Sequence, residues 1–311
     1  MQEAYIISTA RTPLGRFGGT LANCSPVELG MHTIQAVLKQ AGISGEALDL
    51  YVFGNVLRAG HGQSLPRQAA LKAGIPESVN GYAVDMVCSS AMMSVINATT
   101  AIHAQAADIV LAGGMESMSQ TGFLLSHRAR WGYKSLSSPE QLIDILLYDG
   151  LTDPTSSETM GEQAERLAST YNITRAELDE VALYSHQRAA IATAQGTFKR
   201  EIVPIEVKSK TGMLVVDQDE GIRPESTLES LSKLKPAFIE DGIFTAGNSS
   251  QLSDGAAALV VASKKAVEQT QTDRADFWWN VGRWRNLALS RSPNCGSAKA
   301  ISQAEDENLR F

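Results

Sequence analysis

The sequence predicts an α/β protein built on a mostly parallel β-sheet with helices on both of its faces. Two observations lead to this prediction. Short apolar runs of strand-like composition alternate along the chain with segments of helical periodicity. These runs are apolar at successive positions rather than alternating with polar residues, which is typical of strands that are buried on both faces.

The elements can be assigned in order along the chain. Two capping boxes, which begin at Ser25 and Thr174, mark the starts of two helices. With the helix that follows Cys88, helices are predicted at 26–40, 67–72 and 175–195. Strands are predicted at 5–8, 50–53, 80–88, 107–112, 202–207 and 256–262.

Cys88 stands where the predicted strand 80–88 meets the following helix. Unpaired backbone amides and the positive end of the helix dipole stabilise a thiolate at such a junction, which makes a cysteine nucleophilic. Ser89, Ser90 and Ala91 are small, so a backbone or a substrate can approach closely. The pattern alone leaves a second interpretation open, a buried free cysteine, because cysteine is among the most buried residue types.

Composition excludes several classes of protein. The chain has 311 residues, enough for two domains or one large α/β unit, and its net charge of −7 argues against a general nucleic-acid binder. Its three cysteines are too scattered for a disulfide framework or a zinc site, so no metal is expected. The sequence has neither a signal peptide nor an apolar run of membrane-spanning length, and we expect a soluble cytoplasmic protein without membrane contact.

A set of short motifs is spread over residues 1 to about 270. These motifs are Thr12–Gly19, Gly54–Leu57, Arg67–Ala70, Val87–Ser90, Gly113–Met118, and Gly247–Asn248 with Ser253–Ala257. Because they occur in the order and at the spacing of the thiolase family, the chain resembles that family over this range.

This resemblance implies a thiolase-like layered αβαβα fold. Residues 1–119 and 245–270 would form its N-terminal α/β half, and 120–244 an inserted loop domain that binds coenzyme A. The C-terminal half would be largely missing, because the family pattern is lost near Gln271. Residues 271–311, with three tryptophans within seven positions, are then predicted to be an atypical and poorly ordered tail.

The resemblance also implies an acyltransferase activity. Cys88 would accept an acyl group from acyl-CoA and pass it to acetyl-CoA, or cleave a 3-ketoacyl-CoA in reverse. Coenzyme A would be a substrate rather than a tightly bound cofactor, and it would contact Leu151, Met160, Arg223 and Ser250. Family members are commonly dimers or tetramers, so a homo-oligomer is expected.

The sequence also departs from the family pattern. Ala91 replaces a glycine of many members, and Thr159 replaces a histidine of short-chain members, which leaves the acyl length open. The family's Asn-Glu-Ala-Phe segment, its Gly-His-Pro histidine and its second catalytic cysteine are absent, and Cys295 lacks the glycines of that cysteine loop. The chain could therefore be inactive alone. Two alternatives are half of a split thiolase, completed by a separate C-terminal half, and a non-catalytic coenzyme A-binding relic.

Overall fold

The structure, a computed structural model, describes residues 2–132, 142–209 and 212–269 and the backbone of 279–280. Its strands are β1 Ala4–Arg11, β2 Gly15–Arg16, β3 Leu50–Gly54, β4 Asn80–Val84, β5 Ile109–Ser117, β6 Phe123–Leu124, β7 Ile143–Asp144, β8 Ile205–Ser209, β9 Gly212–Val216, β10 Ser253–Ser263 and β11 Trp279–Asn280. Its α-helices are α1 Pro26–Ala41, α2 Leu65–Lys72, α3 Ser90–His103, α4 Met160–Thr170, α5 Arg175–Ala194, α6 Leu228–Ser232 and α7 Lys264–Gln269.

Within the described residues, seven strands form one mixed sheet in the order β11-β1-β10-β5-β3-β4, with β2 paired to β10. β3 is parallel to β4 and β5, whereas β10 is antiparallel to β1 and β5. The prediction of a mostly parallel sheet is therefore wrong for the side that contains β1 and β10. A central strand is buried on both faces whichever way it runs, so its apolar pattern does not encode its direction.

Helices cover both faces of this sheet and create two apolar cores. On one face, α1 and α2 pack over the larger core, which includes Phe53 and Leu111. On the other face, Ala98 and Ile102 of α3 pack against Val110 of β5. Leu111 and Val110 are neighbours on one strand and point to opposite faces, which explains the continuous apolar run.

The capping boxes form as predicted. Ser25 Oγ accepts the backbone N–H of Glu28 at 3.2 Å, and the Glu28 carboxylate accepts the N–H of Ser25 at 2.8 Å. Gly42 ends α1 with φ 67°, a left-handed conformation that glycine adopts without strain. Thr174 caps α5 in the same way as Ser25 caps α1.

Several strand boundaries differ from the sequence prediction, and both β1 and β10 are longer than predicted. β4 ends at Val84 instead of reaching Cys88, because Asp85 Oδ1 accepts the backbone N–H of Val87 at 3.1 Å and the chain turns there. β5 is longer than predicted and ends at Ser117, whereas β8 begins three residues later than predicted. In the predicted tail 271–311, the structure describes only β11, which pairs with β1; the rest lies outside the described residues.

Two buried carboxylates organise residues 118–252, which connect β5 to β10. Glu165 accepts the backbone N–H groups of Ile243 and Phe244 at 3.0 and 2.9 Å. Asp179 accepts Asn248 Nδ2 at 2.8 Å. Asn248 belongs to one of the family motifs, and its contact shows that this motif residue joins α5 to the segment before β10. In the described part of the chain, no helix is long and apolar enough to cross a membrane.

Further ionic contacts join residues 217–220 to the loop after β1. Arg11 pairs with Asp219, Nη1 to Oδ1 at 2.7 Å and Nη2 to Oδ2 at 3.0 Å. Glu220 accepts the N–H groups of Arg16 and Thr20, each at 3.1 Å, and its carboxylate also pairs with the Arg16 guanidinium at 3.4 Å. Burial acts to raise the pKa of Glu220, but these donors together hold it below its ordinary value of 4.5.

This lowered pKa predicts a loss of stability in acid. A carboxyl whose pKa falls on folding stabilises the folded state above the unfolded pKa, and this contribution is lost as the pH falls through the folded value. We expect Glu220→Gln to lower the melting temperature at neutral pH, and we expect this difference to shrink from neutral to acid pH as the wild-type carboxyl takes up a proton. Thermal unfolding followed by circular dichroism across this range measures the effect.

The matched control is Glu229→Gln, because that carboxylate is 78% exposed and pairs with an exposed Lys233. Exposed pairs contribute little, so this variant should follow the wild-type curve. If Glu220→Gln and Glu229→Gln give the same dependence of melting temperature on pH, the contacts of Glu220 with Arg16 and Thr20 do not stabilise the fold.

Candidate active site

Cys88 lies in a tight turn between β4 and α3. The residue before it, Val87, has φ 52°, a left-handed conformation that is strained for a β-branched side chain. Ser90 holds the turn closed, since its Oγ accepts the N–H of Met86 at 2.8 Å and donates to the carbonyl of Val87 at 2.6 Å. The Cys88 side chain is exposed, which excludes the buried free cysteine.

Two glycines let the first turn of α3 approach the sheet closely. A methyl group added at Gly54, the last residue of β3, would lie 2.6 Å from the backbone N of Ala91 and from the carbonyl carbon of Ser90. One added at Gly114 would lie 2.8 Å from Ala91 Cβ. Any side chain at Gly54 would thus push the helix away from β3, so glycine is required for the position of Cys88.

Cys88 opens onto an apolar cavity of about 380 Å³. This volume is at the low end for small-molecule sites. The walls come from the ends of β3 and β5, from the start of β10, and from residues 150–151, which belong to a π-helical turn. π-Helical turns are rare and are frequent at functional sites. The residues that line it include Arg11, Asn55, Leu57, Glu116, Met118, Gly150, Leu151 and Ala256.

A partly buried glutamate holds the segment after β3. Glu116 Oε2 accepts the N–H of Val56 at 2.8 Å, while its Oε1 accepts the N–H of Leu57 at 3.2 Å and Asn55 Nδ2 at 3.0 Å. Burial raises the pKa of Glu116 above its ordinary value, against these three donors, and the nearby Asp85 acts in the same direction as burial. One carboxylate therefore fixes three consecutive residues of the cavity wall.

The cavity brings together two of the five residues that the sequence predicted for the site. Cys88 and Leu151 both line it. Met160 begins α4 and is 42% exposed, outside this lining. Arg223 and Ser250 are exposed elsewhere on the surface, and the Arg223 N–H donates to His186 Nδ1 at 3.3 Å. Among the residues described, no group of three or more His, Cys, Asp or Glu side chains is placed to hold a metal ion.

Sequence reasoning missed Glu116 and Leu57 as parts of the site. Both belong to motifs that supported the resemblance, Gly113–Met118 and Gly54–Leu57, but the sequence gave those motifs no role. The hydrogen bond between them could not be inferred from the sequence, because 59 positions separate the two residues. They come into contact only when β3 and β5 lie side by side in the sheet. The strained φ of Val87 likewise had no sequence signal, since valine is an unfavourable choice for it.

Fold and site together define a layered α/β protein that presents an accessible cysteine at the start of a helix, over an apolar cavity. The sequence matches the family described as Thiolase, N-terminal domain, over residues 4–265. The chain therefore belongs to the thiolase family, and the thiolase resemblance is confirmed.

Individual relatives agree with this assignment. An acetyl-CoA acetyltransferase of Synechocystis sp. is 62% identical over 272 residues, which span 87% of this chain and 69% of the relative. One from Escherichia coli is 44% identical and is covered to 67% of its length. The crystal structure of human mitochondrial 3-ketoacyl-CoA thiolase superposes with a TM-score of 0.83 at 37% identity, covering 86% of this chain and 67% of that one. This superposition confirms the layered thiolase-like fold.

The close approach at Gly54 predicts the effect of a small substitution. We expect Gly54→Ala to lower the free energy of unfolding by about 1–3 kcal/mol, because its methyl group would meet backbone atoms that cannot rotate away. Urea unfolding followed by fluorescence measures the loss. Gly122→Ala is the control, since a methyl group there meets nothing within 4 Å and should change stability little. Equal effects of the two substitutions would contradict the tight contact.

Proposed function

We propose that the chain performs the acyl-accepting step of a thiolase, with Cys88 as the nucleophile. The observation that supports this proposal most is the exposed Cys88 side chain, which lies beside the start of α3 and lines the apolar cavity. A helix N-terminus favours an anion, and the apolar lining of the cavity suits the hydrocarbon part of an acyl group. The named relatives are acetyl-CoA acetyltransferases, so the proposed donor is acetyl-CoA or a related acyl-CoA.

In the proposed step, Cys88 Sγ attacks the carbonyl carbon of the acyl-CoA thioester. A new carbon–sulfur bond forms at Cys88, the bond to the sulfur of coenzyme A breaks, and the departing thiolate takes up the proton that Cys88 released. The acyl group would then pass to the α-carbon of acetyl-CoA, or back to coenzyme A in thiolysis. No metal or redox cofactor is required for these steps.

The coenzyme A contacts remain part of this proposal. Leu151 reaches the cavity directly, which fits a contact with the pantetheine arm beside Cys88. Met160, Ser250 and Arg223 lie outside the cavity lining, where they would contact the remaining parts of coenzyme A.

We also propose that 120–244 acts as the coenzyme A-binding loop domain on an α/β half made of 1–119 and 245–270, within a dimer or tetramer. We further propose a reducing compartment such as the cytoplasm, in which a reactive thiol such as that of Cys88 stays reduced.

Carbon–carbon bond formation needs more than a nucleophile. It requires a base for the α-carbon and donors for a second oxyanion. The thiolase histidine and second cysteine are absent from this sequence, so we propose that the chain alone accepts an acyl group but condenses two acetyl groups slowly or not at all.

The acyl-accepting step is tested by intact-mass spectrometry after incubation with acetyl-CoA. We expect a mass increase of one acetyl group in the wild type and in Cys24→Ala, and none in Cys88→Ala. Cys24 is the suitable control because its thiol is half-buried and burial raises its pKa, which lowers its reactivity. If the wild-type protein is folded but carries no acetyl adduct, the proposal is contradicted and a coenzyme A-binding relic is favoured.

A second candidate is half of a split thiolase, and one observation favours it. Met92 and Ile96 lie four residues apart on α3 and are 67% and 49% exposed. They form an apolar stripe on the surface, beside the exposed Val87 that precedes Cys88. We propose as its occupant a separate polypeptide equivalent to the C-terminal third of the relatives, which the alignment with this chain does not cover.

This second candidate can be tested by complementation. Adding the C-terminal third of the Synechocystis relative should produce a stoichiometric complex in analytical ultracentrifugation and raise acetoacetyl-CoA formation well above that of either part. Ile96→Lys should abolish the complex while Cys88 is still acetylated, because a charge would be buried in the contact. Absence of a complex with wild-type protein argues against the split arrangement.

A further inference from the structure

The length of the acyl group was left open by the sequence because Thr159 replaces a histidine of short-chain thiolases. In the structure Thr159 has another role, since its Oγ1 accepts the N–H of Glu162 at 3.3 Å and donates to the Glu162 carboxylate at 2.9 Å. Thr159 thus caps α4 and does not line the cavity. The residue that limits acyl length must lie elsewhere on the cavity wall.

Leu57 is the wall residue with the most fixed position. Its side chain is 4% exposed and packs in a small apolar cluster with Ile145 and Leu146. Its backbone N–H is held by Glu116, which also holds the two residues before it. A side chain anchored at both its backbone and its tip keeps its place when a ligand presses on it.

Across from Leu57 lies Gly150, in the π-helical turn. A methyl group added at Gly150 would lie 3.3 Å from Leu57 Cδ2 and 3.7 Å from Leu57 Cδ1. Such contacts are tight but leave room for a small adjustment. The leucine and the glycine therefore meet, and both line the cavity that contains Cys88.

We propose that Leu57, fixed by Glu116 and packed against Gly150, limits the length of the acyl group that Cys88 can hold. This inference rests on the proposed function and adds to it a preference for short acyl groups. Glu116 is a positioning residue, because its carboxylate accepts donors from residues 55–57 and thereby sets the place of Leu57.

The test compares variants that move the wall in opposite directions. Leu57→Ala shortens the wall side chain to a methyl group and should favour long acyl groups, whereas Gly150→Ala adds a methyl group to the wall beside Leu57 and should disfavour them. The measured quantity is the ratio of Cys88 acylation rates with hexanoyl-CoA and acetyl-CoA. A change of one or more methylene groups in an apolar pocket alters such ratios about tenfold or more, so we expect shifts of about that size in opposite directions.

Two further variants make the result specific. Leu48→Ala is the matched control, because Leu48 is also 4% exposed but belongs to the main core away from the cavity, and its ratio should equal that of the wild type. Glu116→Gln should shift the ratio in the direction of Leu57→Ala, because an amide cannot accept all three donors. An unchanged ratio in Glu116→Gln would overturn the positioning role.

A second measurement does not depend on acyl transfer. Methyl and hexyl methanethiosulfonate react with an accessible thiol: Cys88 Sγ bonds to the alkylthio sulfur, the sulfur–sulfur bond of the reagent breaks, and methanesulfinate leaves with the charge of the thiolate. The proteins would carry Cys24→Ala and Cys295→Ala so that only Cys88 reacts. The hexyl-to-methyl rate ratio should rise in Leu57→Ala and fall in Gly150→Ala.

The two measurements separate the possible failures. If the thiosulfonate ratios shift as expected but no acyl-CoA modifies Cys88, the wall assignment stands and the proposed function fails. If acyl-CoA modifies Cys88 but both sets of ratios are the same in wild type, Leu57→Ala and Gly150→Ala, the wall assignment is overturned and the function stands. Shifts in Leu48→Ala as large as in Leu57→Ala would also overturn it.

Discussion

The site depends on the close approach of α3 to the sheet at Gly54 and Gly114. Without side chains at these positions, the helix can begin directly over the ends of β3 and β5, and Cys88 is presented above the edge formed by these two strands. This approach also requires a very short turn, which has Val87 in a strained conformation and Ser90 bonded across it. Strain of this kind persists only where surrounding contacts hold it in place.

Several acidic side chains of this protein accept hydrogen bonds from backbone N–H groups instead of facing the solvent. Glu116 holds residues 55–57, Glu165 holds residues 243–244, and Asp254 accepts the N–H of Ser119 at 2.9 Å. Each carboxylate joins segments that are distant in sequence. A carboxylate withdrawn from solvent is stable only when its N–H donors stay in place, so each of these residues ties a loop to a distant segment.

Sequence reasoning placed Cys88 just before a helix and located both capping boxes and most strands, because these features depend on local patterns. It misjudged the direction of β10, which depends on where residues 118–252 return to the sheet. It also gave no role to Glu116, although its motif was noticed, because a hydrogen bond to Leu57 becomes visible only when β3 and β5 are neighbours. Local chemistry was thus predictable, whereas contacts between distant segments required the fold.

The two halves of the proposed chemistry depend on different parts of the molecule. Accepting an acyl group requires the turn at Cys88 and the cavity wall at Leu57 and Gly150, and all of these lie within residues the structure describes. Joining two acetyl groups also requires a base beside the cavity, and the charged or titratable side chains in the cavity lining, apart from the cysteine itself, are Arg11 and Glu116. The Arg11 guanidinium is always protonated and cannot serve as a base. The Glu116 carboxylate already accepts three donors, so it cannot take a proton without weakening contacts that hold the site together. In the proposed chemistry, acyl acceptance and condensation therefore make different demands on the site.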